Sequence, residues 1–458
     1  MPDRRTRAGR RPHRDIVIVC NNVDGLGGVQ RWAHDMAGLL AGRGHRVTLV
    51  GITRAAADGG RAPAGARGTD RPSSAKTPYR VEVLHESWSL PVLRWRPRSL
   101  LDRADLRARL LDRRRAAAMR QGAARLSALL DGVRPGGVVI VAQVWAMEWV
   151  RSAGAGARDG LRLVAMTHES YEASRRSSRH ARVKELYADA DRLLALTAED
   201  ADAWARDGLT NADHMPNPLL TAPVRAAGPR EPVVVCLGRL AHEKGVDMAI
   251  EAWASVAARH PRWRLRLYGE GPRERALREQ AERLGVAGSV EFAGVTRDVP
   301  GALARASVFA LPSRHEGFPM ALLEAMAAGL PAVAFDCAPG VRDLITEGVD
   351  GLLARPGDTP GLAAALERLI ADPGLRERLG GAAPPSARRF QAGAVLDRWE
   401  RLFDLLHRGR PSLRAVPPPA SSPPRAAATA AGPGPAASGK GRGNRSRPRK
   451  PIGPVPGE

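Results

Sequence analysis

Short apolar runs alternate with helical stretches along most of this chain of 458 residues, and this alternation constrains the fold more than any other feature. One series extends through residues 14–221 and a second through residues 229–390. Alternating strands and helices are typical of parallel sheets that carry helices on both faces. We therefore predict an α/β protein with two tandem Rossmann-like domains and a cleft between them. The predicted strands are, in chain order, DIVIVC, RVTLVGI, VEVL, VVIVA, LRLVAM and RLLAL in the first domain and VVVCLGRL, RLRLYG, VEFAG, ASVFALP and PAVAF in the second.

Three segments lie outside the two series and differ from them in composition. Residues 1–13 are basic, residues 54–78 are rich in Ala, Gly, Arg and Pro, and residues 410–458 are rich in Pro, Ala, Gly and Arg. Such compositions offer too little apolar surface to support a packed core. We predict a disordered basic arm, a flexible insertion in the N-terminal domain and a disordered C-terminal tail.

A formal net charge of +23 raises nucleic acid or an anionic surface as a partner. About half of this charge lies in residues 1–14 and 411–458, and much of the rest lies in residues 92–134. Only 4% of the residues are aromatic, and none of them form a platform between basic residues, which argues against nucleic acid. In residues 92–134, Leu and Ala separate the arginines at spacings that suit an amphipathic helix. This helix is either a solvated face or a surface, centred on residues 113–115, that docks on anionic lipid or a polyanionic acceptor.

Several features bear on the compartment of the protein. No run of 18 apolar residues occurs, so we predict no transmembrane helix. The basic N-terminus lacks the apolar stretch of a secretory signal. Cys20, Cys236 and Cys337 each adjoin a predicted strand, which suggests buried small side chains and no metal site. We expect a cytoplasmic protein, with peripheral contact to the inner face of the plasma membrane as a further hypothesis.

The stretch RHEGFPMALLEAMAAGLP places two carboxylates around the start of a helix. It follows the apolar run ASVFALP, Pro319 suits the first helical turn, and Gly329 suits the helix end. Glu316 therefore lies at the carboxyl end of a strand, where open α/β sheets bind ligands, and Glu324 lies inside the helix. The two residues are either surface acids or part of a site for a ligand with both phosphate and hydroxyl groups. A sugar nucleotide fits the second interpretation, since the helix N-terminus favours its diphosphate and carboxylates accept bonds from its hydroxyls.

In each domain, the loop that follows the first predicted strand contains a further candidate motif. In GLGG, Gly27 and Gly28 open a helix, and they form either a phosphate contact or a plain tight turn. In GRLAHEKG, Arg239 and Lys244 are placed to converge on one anion. Lysine is rare in this arginine-rich chain, so Lys244 is either a point charge kept for phosphate or a solvated loop residue.

One histidine also follows a strand of the first domain. His168, in AMTHES, is either a structural residue or part of a ligand pocket at the carboxyl edge of the sheet. His34, His45 and His242 are expected on helix or loop surfaces.

With these motifs, residues 15–408 resemble the family 4 glycosyltransferases of GT-B fold, retaining enzymes that use nucleotide-sugar donors. The most specific part of the resemblance is the pair of glutamates separated by seven residues in EGFPMALLEAMAAGLP. GRLAHEKG, LYGEGP, VEFAGVT, THES and MPNPL support it in the right order.

The resemblance implies a catalytic set. Glu316 approaches the donor sugar, Arg239 and Lys244 hold the diphosphate and stabilise the departing charge, and His168 lines the sugar pocket. The resemblance also implies retention of configuration, no metal ion and no other cofactor, and a helix at residues 391–409 that returns to the N-terminal domain. Its donor-binding set comprises Glu324, which takes the ribose hydroxyls, together with Gly27, Gly28, Gly317, Phe318, Met320 and Val295.

The segment FDCAPGVRDLI departs from the commonest family pattern, with Pro339–Gly340 and Asp343 where many members have paired glycines and a glutamate. In this it resembles members that act on glycerol-phosphate polymers, wall teichoic acid or lipid-linked glycans. The predicted function is thus transfer of a hexosyl unit, from a UDP-sugar rather than GDP-mannose, to an envelope glycan, polyol-phosphate or lipid-linked acceptor. The alternatives are a GT-B sugar-nucleotide epimerase and a basic nucleic-acid-binding protein.

Overall fold

The structure is a computed structural model, and it describes residues 13–25, 27–54, 77–90, 105–220 and 230–408. The predicted basic arm, most of the insertion, the linker at 221–229, the start of the basic segment and the tail lie outside these residues.

A seven-stranded parallel sheet forms the core of the N-terminal domain, with the strand order β3-β2-β1-β4-β5-β6-β7. Its first strand is buried almost throughout, because helices cover both faces of the sheet. The strands are β1 (Asp15–Asn22), β2 (Arg46–Thr53), β3 (Arg80–His85), β4 (Val138–Val141), β5 (Arg162–Met166), β6 (Arg192–Ala195) and β7 (Ala212–His214).

A second parallel sheet has six strands in the order β10-β9-β8-β11-β12-β13. In both sheets the chain moves outward from the first strand and then crosses to its other side, as in doubly wound folds. The strands are β8 (Val233–Leu237), β9 (Arg264–Tyr268), β10 (Val290–Gly294), β11 (Val308–Leu311), β12 (Ala332–Phe335) and β13 (Gly351–Ala354).

Helices connect most consecutive strands on both faces of each sheet. In the N-terminal domain they are α1 (Gly28–Gly42), α2 (Leu106–Asp131), α3 (Val144–Ser152), α4 (Tyr171–Arg175), α5 (Arg179–Tyr187) and α6 (Ala198–Arg206). In the C-terminal domain and after it they are α7 (Val246–Ala257), α8 (Glu274–Arg283), α9 (Val299–Arg305), α10 (Met320–Ala327), α11 (Pro339–Arg342), α12 (Thr359–Ala371), α13 (Pro373–Ala387) and α14 (Ala392–Arg408).

The last helix, α14, packs on the N-terminal domain although it follows the C-terminal domain in sequence. Arg14 binds Asp404 at 2.8 Å, and the Nε atom of Arg162 donates to the carbonyl oxygen of Leu406 at 2.7 Å. The same helix covers His45, whose Nε2 atom lies 3.7 Å from Glu400. The expectation that His45 lies on the surface is therefore wrong, because α14 buries it.

The prediction of two parallel-sheet α/β domains is confirmed. Every predicted strand is present, but β7 and β13 were not predicted. Each has only three or four residues, and β7 reads ADH, which lacks the β-branched and aromatic residues that indicate a strand.

Candidate functional site

The loop after β8 is fastened to the loop after β11. Gly245 has a positive φ of 62°, and a Cβ atom there would overlap the carbonyl oxygen of Pro312. The guanidinium of Arg314 donates to both carboxylate oxygens of Asp247 at 2.7 and 2.6 Å. The backbone N–H of Arg314 also donates to the carbonyl oxygen of Glu243 at 2.9 Å. The two loops thus form one rigid unit at the carboxyl edge of the sheet.

This unit brings two of the predicted catalytic residues together. The ammonium of Lys244 lies 2.7 Å from Glu316 Oε1, and the hydroxyl of Ser313 donates to the same oxygen at 2.7 Å. The side chain of Glu316 is only 8% exposed, so both bonds form in a largely dry setting where they are strong. The arrangement fixes a carboxylate and a cation side by side at a ligand-binding edge.

Helix α10 begins directly after these residues. Pro319 precedes its first turn, and Phe318 is buried against Phe390, with 5.1 Å between the ring centroids. Glu324 is buried one turn further on, although its position in a helix first suggests a surface acid. Its carboxylate is 3.3 Å from the guanidinium of Arg31, which belongs to α1 of the N-terminal domain. The second predicted glutamate therefore meets the opposite domain.

His168 supplies the opposite wall of the site from the loop after β5. Its ring stands edge-on to Trp32 at 4.7 Å, and its Nε2 atom is buried with no hydrogen-bond partner in the part of the chain that the structure describes. Burial lowers the pKa of His168 to about 4, so the imidazole is neutral near pH 7. A neutral ring with a buried nitrogen suits a hydrogen bond to a ligand hydroxyl.

The two domains touch through backbone at this point. A Cβ atom at Gly317 would overlap the carbonyl oxygen of His168, and one at Gly340 would overlap the carbonyl oxygen of Gly317. Close approach of three backbone segments therefore requires glycine at both positions. Gly340, the glycine of the Pro339–Gly340 pair, has its place in this contact.

Other predicted site residues lie further from the Lys244–Glu316 pair. Arg239 is 68% exposed and bonds Glu243, so in this structure Arg239 and Lys244 engage different carboxylates. Gly27 caps α1 with extended backbone, and open space surrounds a Cβ atom at Gly28. Two further members of the donor-binding set are placed at the carboxyl edge of the second sheet: Met320, which is half-buried in the first turn of α10, and Val295, which is exposed just after β10.

A cavity of about 530 Å³ opens beside His168 in the N-terminal domain. Asn21, Gln143, Thr167 and Arg182 are among its lining residues. The hydroxyl of Thr167 is buried and has no hydrogen-bond partner among the described residues. A larger cavity of about 820 Å³ lies at the opposite, amino edge of the second sheet and is remote from these groups.

Three residues of the site were missed in the sequence. Ser313 bonds Glu316, Arg314 fastens the two loops, and Arg31 meets Glu324. Arg31 follows Gly28 by three residues, about one helical turn, and this spacing from the GLGG loop was the available signal. Ser313 lies three residues before its partner Glu316, so that spacing was also available, whereas Arg314 had no comparable signal because its partner Asp247 is 67 positions away.

Within the described residues, no group of three or more His, Cys, Asp or Glu is arranged to hold a metal ion. In the same residues no helix is long and apolar enough to cross a membrane.

Two parallel α/β domains, with residues after the carboxyl ends of β5 and β11 in contact, form the arrangement of the GT-B fold. Residues 231–372 match the family described as Glycosyl transferases group 1.

Similar proteins are known by sequence and by structure. The chain is 39% identical over 218 residues to an exopolysaccharide phosphotransferase of Streptomyces coelicolor, covering 46% of this chain and 23% of that protein. The structure of Anabaena HepE in complex with UDP and glucose superposes with a TM-score of 0.65 at 19% identity, covering 86% of this chain and 100% of that one. A structure of Staphylococcus aureus TarM with UDP gives a TM-score of 0.53 at 18% identity, over 58% of this chain and 55% of that one. The chain spans less than two thirds of the length of the first curated relatives it matches.

Proposed function

We propose that the protein is a retaining glycosyltransferase that moves a hexosyl unit from a UDP-sugar to a cell-envelope glycan, polyol-phosphate or lipid-linked acceptor. The observation that carries the proposal is the Lys244–Glu316 pair at the carboxyl edge of the second sheet, facing His168 of the first domain. A cation, a carboxylate and a neutral imidazole are the groups that a sugar joined to a diphosphate requires.

Each group has a definite part in the transfer. The bond between the sugar C1 atom and the diphosphate breaks, and Lys244 stabilises the negative charge that develops on the leaving group. Glu316 and the neutral His168 accept or share hydrogen bonds with the sugar hydroxyls and fix the orientation of C1. The acceptor oxygen forms its bond to C1 on the face that the diphosphate leaves, and its proton passes to the departing phosphate. No protein nucleophile and no metal ion takes part.

The donor assignment rests on the UDP bound in the structures of HepE and TarM. A screen of nucleotide-sugars by thermal unfolding tests it. A UDP-sugar at 100 times its dissociation constant should stabilise the protein by about 2.7 kcal/mol. If only GDP-sugars raise the melting temperature, the UDP assignment is wrong.

The acceptor assignment rests on the similarity to an exopolysaccharide phosphotransferase and on the Pro339–Gly340 pair. The epimerase alternative has no support from the similar proteins described above. Incubation with UDP-sugars in the absence of acceptor separates the two functions. An epimer in the product would contradict the transferase proposal, whereas slow release of UDP and free sugar would support it.

We further propose that the first turns of α2 attach the protein to an anionic membrane surface. Leu106 and Leu110 are 75% and 50% exposed, and they lie one turn apart among exposed arginines. Each basic residue near an anionic surface contributes about 1 kcal/mol at low salt. Of residues 113–115, however, the third does not take part: Arg115 is buried against Glu148.

Vesicle co-sedimentation tests this attachment. Arg113→Gln with Arg114→Gln should weaken binding to anionic vesicles, and raising the salt concentration should weaken it further. The matched control is Arg275→Gln with Arg283→Gln in α8, which removes the same charge from another helix and should weaken vesicle binding less. Equal binding to neutral vesicles, or no binding at low salt, would contradict the proposal.

A further inference from the structure

Arg31, in the N-terminal domain, forms an ion pair with Glu324, the predicted donor-binding carboxylate of the C-terminal domain. Its guanidinium lies 3.3 Å from the buried carboxylate of Glu324 and 3.7 Å from Asp35, one turn further along α1. The side chain is 55% exposed, so it lies on the open side of Glu324 and not in a packed core.

The position of Arg31 in the chain adds to this observation. Arg31 is in the first turn of α1, directly after the Gly27–Gly28 turn, and its backbone N–H donates to the carbonyl oxygen of Gly27 at 3.1 Å. The N-terminus of a helix favours anions, and a guanidinium there adds a full positive charge. The helix end and the arginine thus present positive charge from the N-terminal domain toward Glu324.

The geometry limits where a nucleotide can lie. A ribose held by Glu324 must share that carboxylate with Arg31, and the diphosphate is attached directly to the ribose. Guanidinium offers five N–H donors in a planar fork, so it can keep its bond to Glu324 and still bind phosphate oxygens.

We propose that Arg31 binds the diphosphate of the nucleotide-sugar from the N-terminal side of the cleft and links that contact to the ribose through Glu324. The inference rests on the proposed function, since it needs a nucleoside diphosphate in the site. It adds a cation from the N-terminal domain to Lys244, which the proposed function already places at the leaving diphosphate. Donor binding then draws on both domains.

Calorimetric titration of the full chain with UDP, and with uridine as a probe without phosphate, tests the proposal. Arg31→Ala should raise the dissociation constant of UDP about tenfold or more and leave that of uridine unchanged, while Arg31→Lys should recover part of the loss. Arg31→Gln provides a second variant of similar size, and circular dichroism confirms folding.

Arg43→Ala is the matched control. Arg43 directly follows the last residue of α1 and also pairs across the chain, with Asp397 of α14 at 2.9 Å, so it lies at the far end of the helix from Arg31. This control should bind UDP as the wild type does.

Three results would overturn the assignment. Unchanged UDP affinity in Arg31→Ala removes Arg31 from the site. Equal weakening of UDP and uridine shows that Arg31 acts on the ribose alone through Glu324. If the wild-type chain binds no nucleoside diphosphate, the proposed function fails and the assignment fails with it.

Discussion

At the scale of single residues, Glu316 is the centre of the candidate site. One of its oxygens accepts from both Lys244 and Ser313, so its position is fixed before any sugar arrives. Such fixed groups lose little orientational freedom during reaction, which is why they stabilise a transition state better than mobile ones.

Removal of the cation beside Glu316 should slow transfer. Lys244→Met is expected to lower kcat by about 100-fold or more, because the leaving diphosphate loses a positive charge. Ser313→Ala removes one bond to a charged group and should cost about 1.5–3 kcal/mol in the transition state or in stability. Steady-state kinetics measures both effects.

Lys184→Met is the control for the loss of a lysine. Lys184 forms an ion pair with Asp207 at 2.9 Å on the surface of the N-terminal domain. This variant should keep the wild-type kcat, and a loss as large as that of Lys244→Met would contradict the site assignment.

The titration of His168 should appear in the stability of the protein. Its pKa is lowered to about 4 in the folded state, while an unfolded histidine titrates near 6.5. The unfolded state therefore binds a proton first, and the free energy of unfolding should fall as pH drops from about 6.5 to about 4, by on the order of 1–3 kcal/mol.

Urea denaturation of the wild type and of His168→Gln at several pH values measures this contribution. The variant should show a shallower loss of stability over the same window. Parallel curves for the two proteins would mean that the imidazole is hydrated and titrates normally.

At this scale the sequence predicted which residues lie together in the candidate site, such as Lys244 and Glu316, better than it predicted the bonds they form. Glu316 and Lys244 both carried a recognisable motif, yet their direct pairing was not foreseen. Lys244 and Arg239 were expected to bind the same anion. In the structure Lys244 forms an ion pair with Glu316 and Arg239 forms one with Glu243, because each long side chain reaches a nearby carboxylate. His45 was misplaced because nothing near it in sequence indicates that α14 will cover it.

At the scale of elements, the fastening of two loops positions the site. Gly245 ends one loop with a left-handed residue pressed against the carbonyl oxygen of Pro312, and Arg314 bridges to Asp247. The sequence shows the glycine and the strands on either side. It does not show the contact, since Gly245 and Pro312 are 67 positions apart.

Gly245→Ala should disturb both stability and function. A left-handed conformation costs a non-glycine residue roughly 1–2 kcal/mol, and overlap with the Pro312 carbonyl oxygen forces a further shift of the loop. The shift moves Lys244, so kcat should fall together with the melting temperature.

Gly381→Ala provides the matched comparison. Gly381 lies inside α13 with open space around its added Cβ atom, so alanine should stabilise that helix by up to about 1 kcal/mol. If both glycine variants behave alike, the special role of Gly245 is excluded.

At the scale of the whole molecule, ion pairs and backbone contact join the two domains. Arg342 of α11 binds both carboxylate oxygens of Glu199, at 2.8 and 3.0 Å, and also contacts Asp336 of its own domain. Glu199 lies in the first turn of α6 and Arg342 is the last residue of α11, so the contact joins the ends of two helices that belong to different domains.

A double-mutant cycle measures this link. Arg342→Ala, Glu199→Gln and the double variant should give a coupling energy of about 0.5–1 kcal/mol in thermal or urea unfolding, falling as salt rises. Zero coupling at low salt would mean that the domains do not keep this arrangement in solution.

The return of α14 to the N-terminal domain has a consequence for how the gene can be recombined. The chain passes from the first domain to the second before Val233 and returns to the first after Phe390. The second domain is therefore encoded by one continuous segment. Exchange of that gene segment with the corresponding segment of a homologue would replace the predicted donor-binding domain, and it would need only one recombination point at each end of the segment. Exchange of the other half would require two separated gene fragments, because Arg14, Arg43 and Arg162 depend on partners encoded near the end of the chain. On the proposed function, with the donor bound by the second domain, a change of donor therefore needs fewer recombination events than a change of acceptor.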